Sequence, residues 1–508
     1  MLSMLAIVVA AGCTPESGLP AVADDPLALE APELARVLAA GEVSAEAVTR
    51  AVLERIAAID ESGPALGSIL EVNPDALDIA RALDRRLQAQ GPVGPLHGVP
   101  VAIKANIDTA DRMATTAGSL ALADHHARVD APLVARLRAA GAVLVGKANL
   151  SEWANFRDLG STSGWSSLGG QTKNPYALDR NPCGSSSGSA VAVAARLVPL
   201  AVGTETNGSI VCPAAVNGVV GIKPTVGLVS QGGIIPISAT QDTAGPMART
   251  VRGAALLLAA MQTAPSAPIA YAAARQDLSG LRLGVLRDYA GAGRYPAVEA
   301  QYTGWLAWLG EAGATLVDPL ALGLPDGLGR AELDLLLYEF KDGLEAYLRD
   351  VSIGPGSLRE LIAFNEAHAD VVMPYFGQGL VVTAQEKGSL VDPAYQAAFA
   401  ASHVAVRERL ESLFGVDGID AIVAPANSPA WRTDWVNGDR FHLGSTGFAA
   451  IAGYPIVTVP GGLVDGVPVG IAFVGQPYSE DLLIDVAAAF EARRGPMPPP
   501  SFRPTTGR

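Results

Sequence analysis

Twice in this chain an apolar helix pattern runs through a short glycine turn straight into an apolar strand pattern, at LRAAGAVLVGK (137 to 147) and at WLGEAGATLVDP (308 to 319). Further strand-like runs, LRLGVL at 281 to 286, DAIVAP at 420 to 425 and YPIVTVP at 454 to 460, lie between helical ones. Strands and helices joined by such short turns bury their apolar faces against one another in layers, so the expected fold class is α/β. No fixed repeat length carries through the chain, which excludes a solenoid. Val48, Val52, Ile56 and Ile59 recur at helical spacing behind Ser44, a residue suited to capping. A second helix is expected to open at Asn73-Pro74 and stop at Gly91. Leu333, Leu336, Leu337, Phe340, Leu344 and Tyr347 mark a long amphipathic helix.

Composition supports one continuous body. Of 508 residues, 49% are apolar and only 17% charged, a core-rich balance unlike that of a disordered chain. A net charge of −15 without any cluster of Lys and Arg excludes a nucleic-acid partner, whose phosphates must be neutralised. Three cysteines without a CxxC pair predict neither a disulfide framework nor a structural zinc, and Cys183 and Cys212 are read as packing residues. The apolar stretch LSMLAIVVAAGC at 2 to 13 is too short to span a bilayer and reads as a secretion leader. Ala11 and Gly12 before Cys13 resemble a lipoprotein cleavage site, after which Cys13 becomes the acylated first residue and a point of membrane attachment. The expected organisation is a leader over 1–12, a tether over 14–25, a single domain over 26–495 and a Pro-rich tail over 496–508. The corresponding location is the cell envelope. Cytoplasmic residence is the alternative if this segment, which has no Lys or Arg before Arg36, is not a signal.

Chemistry concentrates in the Gly- and Ser-rich middle. In GTETNGSIVCPA (203 to 214), Ser209 follows a small polar turn and has no base nearby in sequence. None of the six histidines sits in a metal motif such as HExxH. GSSSG at 184 to 188 matches a nucleophile elbow centred on Ser186, but the strand that an elbow requires is missing, since YALDRNPC precedes it. The other available base is a lysine. In GPLHGVPVAIKANID (94 to 108), Val99, Val101 and Ile103 alternate as a strand with one buried face, which sends Lys104 to the opposite side. A lysine needs its pKa lowered by about three units, about 4 kcal/mol, to serve as a base near neutrality. Residue patterns alone favour a solvated strand-end lysine.

Three segments in order, GPLHGVPVAIKANID, PCGSSSGSAVAVAA and GTETNGSIVCPA, resemble the amidase signature family, as does the spacing of 24 residues between Ser185 and Ser209. The late segment YPIVTVPGGLVDGVPVGIAFVG (454 to 475) is similar to that family's closing segment. SEWANFR (151 to 157), GGQTKNPY (169 to 176) and QDTAGPMAR (241 to 249) look most like its bacterial peptide amidase branch. The resemblance implies a single α/β/α layered domain with a central twisted mixed sheet covered by helices on both faces. It implies amide hydrolysis through an acyl-enzyme, with Ser209 as nucleophile, Lys104 as ultimate base and Ser185, behind a cis peptide bond, as relay. Backbone N–H groups of Thr206, Asn207, Gly208 and Ser209 are the implied oxyanion donors. C-terminal amides of peptides, releasing ammonia, are the implied substrates, with aryl or acyl amides as the alternative and no metal or organic cofactor. The chain departs from the family pattern at Ala105, where Asp is common, and at Asn207, where Gly or Asp stands. Ala105 makes a catalytically silent binding protein on the same scaffold the rival reading.

Overall fold

Among the residues described by the computed structural model, 25–263, 277–351 and 353–506, eleven strands hydrogen-bond into one mixed sheet. In chain order they are β1 (Ile69–Val72), β2 (Pro100–Lys104), β3 (Val143–Ala148), β4 (Leu200–Glu205), β5 (Val220–Lys223) and β6 (Thr243–Ala248). The remaining five are β7 (Arg282–Leu286), β8 (Thr315–Leu320), β9 (Ala421–Pro425), β10 (Ile456–Val464) and β11 (Val467–Val474). Across the sheet the order is β1-β3-β2-β4-β6-β5-β10-β11-β9-β7-β8. β3, β2 and β4 run parallel, as do β9, β7 and β8, while the strands between these two groups pair antiparallel. Helices flank this sheet, and β2, β3, β4, β6, β9 and β11 are buried at every position, as strands covered on both faces must be. The layered α/β expectation matches. The leader over 1–12 and Cys13 lie outside the described residues, as does all but the last residue of the 14–25 tether.

The expectation of one buried face at 99–103 is corrected by the same fact. β2 lies inside the sheet between β3 and β4, so its alternate residues enter two different covered layers and Lys104 is buried with the rest. Local signals are obeyed elsewhere. Ser44 Oγ accepts from Ala47 N–H and opens the helix Ala45–Arg55. Asn73 is spent differently. Its side chain donates to Leu144 O and accepts from Asp75 N–H, so the helix starts at Ala76, and it ends before Gly91 at φ 80°. The alanine-rich helix Ser187–Ala194 is buried along its whole length. Gly188 lets it approach, because a Cβ there would stand 2.2 Å from Ser68 O. A second apolar cluster is built on the helix Leu328–Arg349, where Leu335, Phe340 and Leu344 join Trp153, Phe156 and Ile237.

The reading of Cys183 and Cys212 as unlinked packing residues is overturned. They form a disulfide with Cα atoms 6.0 Å apart, closing a loop of 29 residues in sequence. Spacing gave no sign of it because β4 turns back between them and returns the chain to the same place. Loop-closure entropy for this length is worth about 3.5 kcal/mol. Reduction of the bond, or Cys212→Ser, should therefore lower the unfolding free energy in a urea titration by about that amount; a loss below about 1 kcal/mol contradicts the assignment.

Candidate active site

Lys104 ends β2 with its side chain fully buried. Its Nζ donates to Ser185 Oγ at 2.8 Å, Thr204 Oγ1 at 2.8 Å, Ser186 Oγ at 3.1 Å and Thr204 O at 3.2 Å. All four are neutral oxygens, and among the described residues no carboxylate forms an ion pair with this ammonium. Burial pulls its pKa down to about 7, against an opposing pull from Asp242 and Glu205. Ala105 is equally buried, and its carbonyl accepts from Thr116 and Ala117 N–H. The negative charge around Lys104 is thus supplied by Asp242 and Glu205, from other elements, with none contributed by position 105.

Ser185 is presented by a cis Gly184–Ser185 peptide bond, and its carbonyl accepts from Ser151 N–H. Only glycine fits at 184, because a Cβ would stand 2.1 Å from Ser151 Oγ. The rival nucleophile Ser186 is consumed by structure. Its hydroxyl donates to Thr204 O and accepts from Thr204 N–H and Lys104, and its own N–H donates to Ser209 O at 3.1 Å. That last bond ties the Ser185 loop to the turn carrying Ser209.

The turn 206–209 leaves β4 and leads into the short helix Val211–Val216. Gly208 takes φ 86°, a conformation that glycine adopts without strain. Among the described residues, the N–H groups of Asn207, Gly208 and Ser209 donate to no protein acceptor. Acidic side chains hold the turn from three sides. Glu205 Oε2 accepts from Ile210 and Val211 N–H. Asp242, raised to about 6 by burial, accepts from Thr206 Oγ1, Ile237 N–H and Ser238 N–H. Glu332, from the helix Leu328–Arg349, accepts from Asn207 Nδ2 at 2.6 Å. Sequence reasoning missed Thr204, Asp242 and Glu332. Thr204 and Asp242 lie inside quoted motifs, but nothing in the sequence near Glu332 points to a residue 125 positions away.

Ser209, Gly208 and the Cys183–Cys212 disulfide line a cavity of about 370 Å³. Phe156, Ile237, Leu336, Leu380, Trp431 and Phe441 make its apolar wall, and no histidine lines it. Polar side chains also line it, among them Asn155, Asp158, Ser163, Asn437 and Asp439. Asn155 follows Trp153 and Ala154 in three successive left-handed residues, φ 54°, 53° and 74°. Asp439 accepts from Ser163 and from the Trp431 indole N–H. A larger cavity of about 970 Å³ shares Trp431 but contains none of the lysine and serine groups, so the smaller one is the candidate site. No cluster of three or more His, Cys, Asp or Glu side chains suited to a metal ion occurs among the described residues.

Known proteins resemble this chain over most of its length. The family model described as Amidase matches residues 47–484. The native peptide amidase of Stenotrophomonas maltophilia is 46% identical with a TM-score of 0.86, covering 95% of this chain and 99% of that one. A probable amidase of Arabidopsis thaliana is 38% identical over 88% of this chain and 86% of its own length. A glutamyl-tRNA(Gln) amidotransferase chain of Salinispora arenicola is 37% identical over 94% of this chain and 100% of its own length. The chain belongs to the amidase family, the amidase signature enzymes, and is an amide hydrolase.

Proposed function

We propose that this enzyme hydrolyses C-terminal amides of peptides, with Ser209 as nucleophile, Ser185 as relay and Lys104 as base. The observation that carries the reading is the 2.8 Å bond from a fully buried Lys104 to Ser185. At a pKa of about 7 a large share of this lysine is neutral near neutrality. Neutral Nζ takes the proton of Ser185 as Ser185 takes that of Ser209, and Ser209 Oγ attacks the amide carbon. The oxyanion so formed meets the unengaged N–H groups of the turn, each such donor being worth roughly 3 kcal/mol of barrier. Collapse returns the proton to the leaving nitrogen, ammonia departs, and water attacks the acyl-enzyme by the same route.

A peptide substrate is favoured by the cavity and by kinship. Its apolar wall suits a bulky acyl side chain, and the 46% identity to a peptide amidase extends through nearly the whole chain. A disulfide beside the site fits an oxidising compartment, which supports the envelope location inferred from the leader and Cys13. Mass spectrometry of the membrane fraction checks that location; an unprocessed, unacylated N-terminus in the cytosol contradicts it.

Ammonia release from a panel of peptide amides, fatty amides and aryl amides is the direct test. Peptide amides should give the highest kcat/KM, and Ser209→Ala should abolish release; a preference for aryl amides overturns the substrate assignment. In the pH profile, protonated Lys104 is inactive, so kcat/KM should climb as pH rises through about 7 and then level. Lys104→Ala should remove that acid limb together with about 10²–10⁴-fold of the activity. Near-normal activity in this variant takes Lys104 out of the mechanism.

A further inference from the structure

Asn207 stands in the turn before Ser209, and its side chain has a partner on another element. Its Nδ2 donates to Glu332 Oε1 at 2.6 Å, and Gln241 Nε2 donates to the same oxygen at 3.0 Å and to Thr206 O at 3.3 Å. Among the described residues Glu332 forms no ion pair, so its charge is compensated by two side-chain amides. Thr206, on the other side of Asn207, is anchored to Asp242. We infer that Glu332 is a positioning residue, which holds the oxyanion turn through Asn207 and requires a hydrogen-bond donor at position 207.

The requirement follows from charge. An amide brings an N–H to a carboxylate, whereas an aspartate brings a second carboxylate to within 2.6 Å of the first. Two such groups cannot both ionise and must share one proton. With the proton the pair is held by a short hydrogen bond. Without it the two repel, Glu332 is pushed from the turn, and the donors at Gly208 and Ser209 lose their aim. The damage falls mainly on the transition state, where the oxyanion exists, and so on kcat more than KM.

Other ionisable groups around the pair are accounted for. Asp242 bonds Thr206, Glu205 bonds the helix that follows, and Lys104 lies at the end of β2. Glu339, on the helix of Glu332, is held by Ser238, Thr240 and Tyr395. Arg330 and Asp334 pair with each other along that helix at 3.6 Å, and Asp439 is committed to Ser163 and Trp431. None of these bonds Asn207 or Glu332, and all are common to wild type and variants, so their titrations cancel in a ratio.

This inference rests on the assignment of 206–209 as the oxyanion turn, and its test is separable from that of the substrate and triad. The measurement is kcat at pH 6 and pH 9 for wild type, Asn207→Asp, Glu332→Gln and the double variant, on whichever amide the wild type hydrolyses. The ratio of Asn207→Asp to wild type should fall at least tenfold from pH 6 to pH 9. Glu332→Gln alone should show no such slope. Adding it to Asn207→Asp restores a donor facing an acceptor, and should recover tenfold or more at pH 9, a coupling of about 1.4 kcal/mol. A pH-independent ratio for Asn207→Asp, or a double variant no better than Asn207→Asp, overturns the proposal. Should Asn207→Asp fail to accumulate as soluble protein, recovery of soluble enzyme in the double variant reads the same coupling, and its failure to recover is equally decisive. The nucleophile is tested by loss of turnover in Ser209→Ala, a readout independent of this ratio.

Discussion

An ammonium group buried against neutral hydrogen-bond partners is the constraint around which this molecule is arranged. Lys104 has no exposed surface, and the charged form of such a group is costly unless its three protons find acceptors. The acceptors are the Ser185, Ser186 and Thr204 hydroxyls and the Thr204 carbonyl. They come from two segments that must both reach the end of β2. That demand explains the small residues around 184–194: Gly184 clears Ser151, Gly188 clears Ser68, and the buried helix Ser187–Ala194 lets the serine loop lie against the sheet. The same burial lowers the lysine to about 7, so one packing arrangement sets both the local structure and the chemistry.

Around the turn the logic is reversed, with carboxylates holding polar backbone and side chains. Glu205, Asp242 and Glu332 each accept from donors in or beside 206–211, and charge-assisted bonds of this kind are stronger than neutral ones. They leave the N–H groups of Asn207, Gly208 and Ser209 without a protein acceptor among the described residues. Donors that are already oriented need not reorganise as charge develops, which is the physical basis of oxyanion stabilisation. The disulfide adds a covalent tie, since Cys183 precedes the Ser185 loop and Cys212 follows Ser209.

Much of the fold was legible because its signals are local. The glycine turns at 141 and 313 have positive φ and do feed β3 and β8, and Ser44 caps its helix as its position suggested. Burial of both faces of β2 was not legible, because alternation in five residues cannot report what covers the second face. Asn73 misled for a related reason. Its side chain is taken by Leu144 on a neighbouring strand, a partner that no helix-start rule can include. The pairing of Cys183 with Cys212 depends likewise on where β4 returns the chain.

By itself, the sequence determined the layered α/β class and the order of the three motifs, since periodicity, turn chemistry and motif spacing are carried by neighbouring residues, while Lys104, Ser185 and Ser209 stand out in it only through family resemblance. Tertiary structure alone decided that Lys104 is buried beside Ser185, that Ser186 is spent on Thr204, and that Asn207 answers to a glutamate 125 residues away. Desolvation and hydrogen-bond partnership are properties of a place in the folded chain, and no stretch of sequence contains both partners.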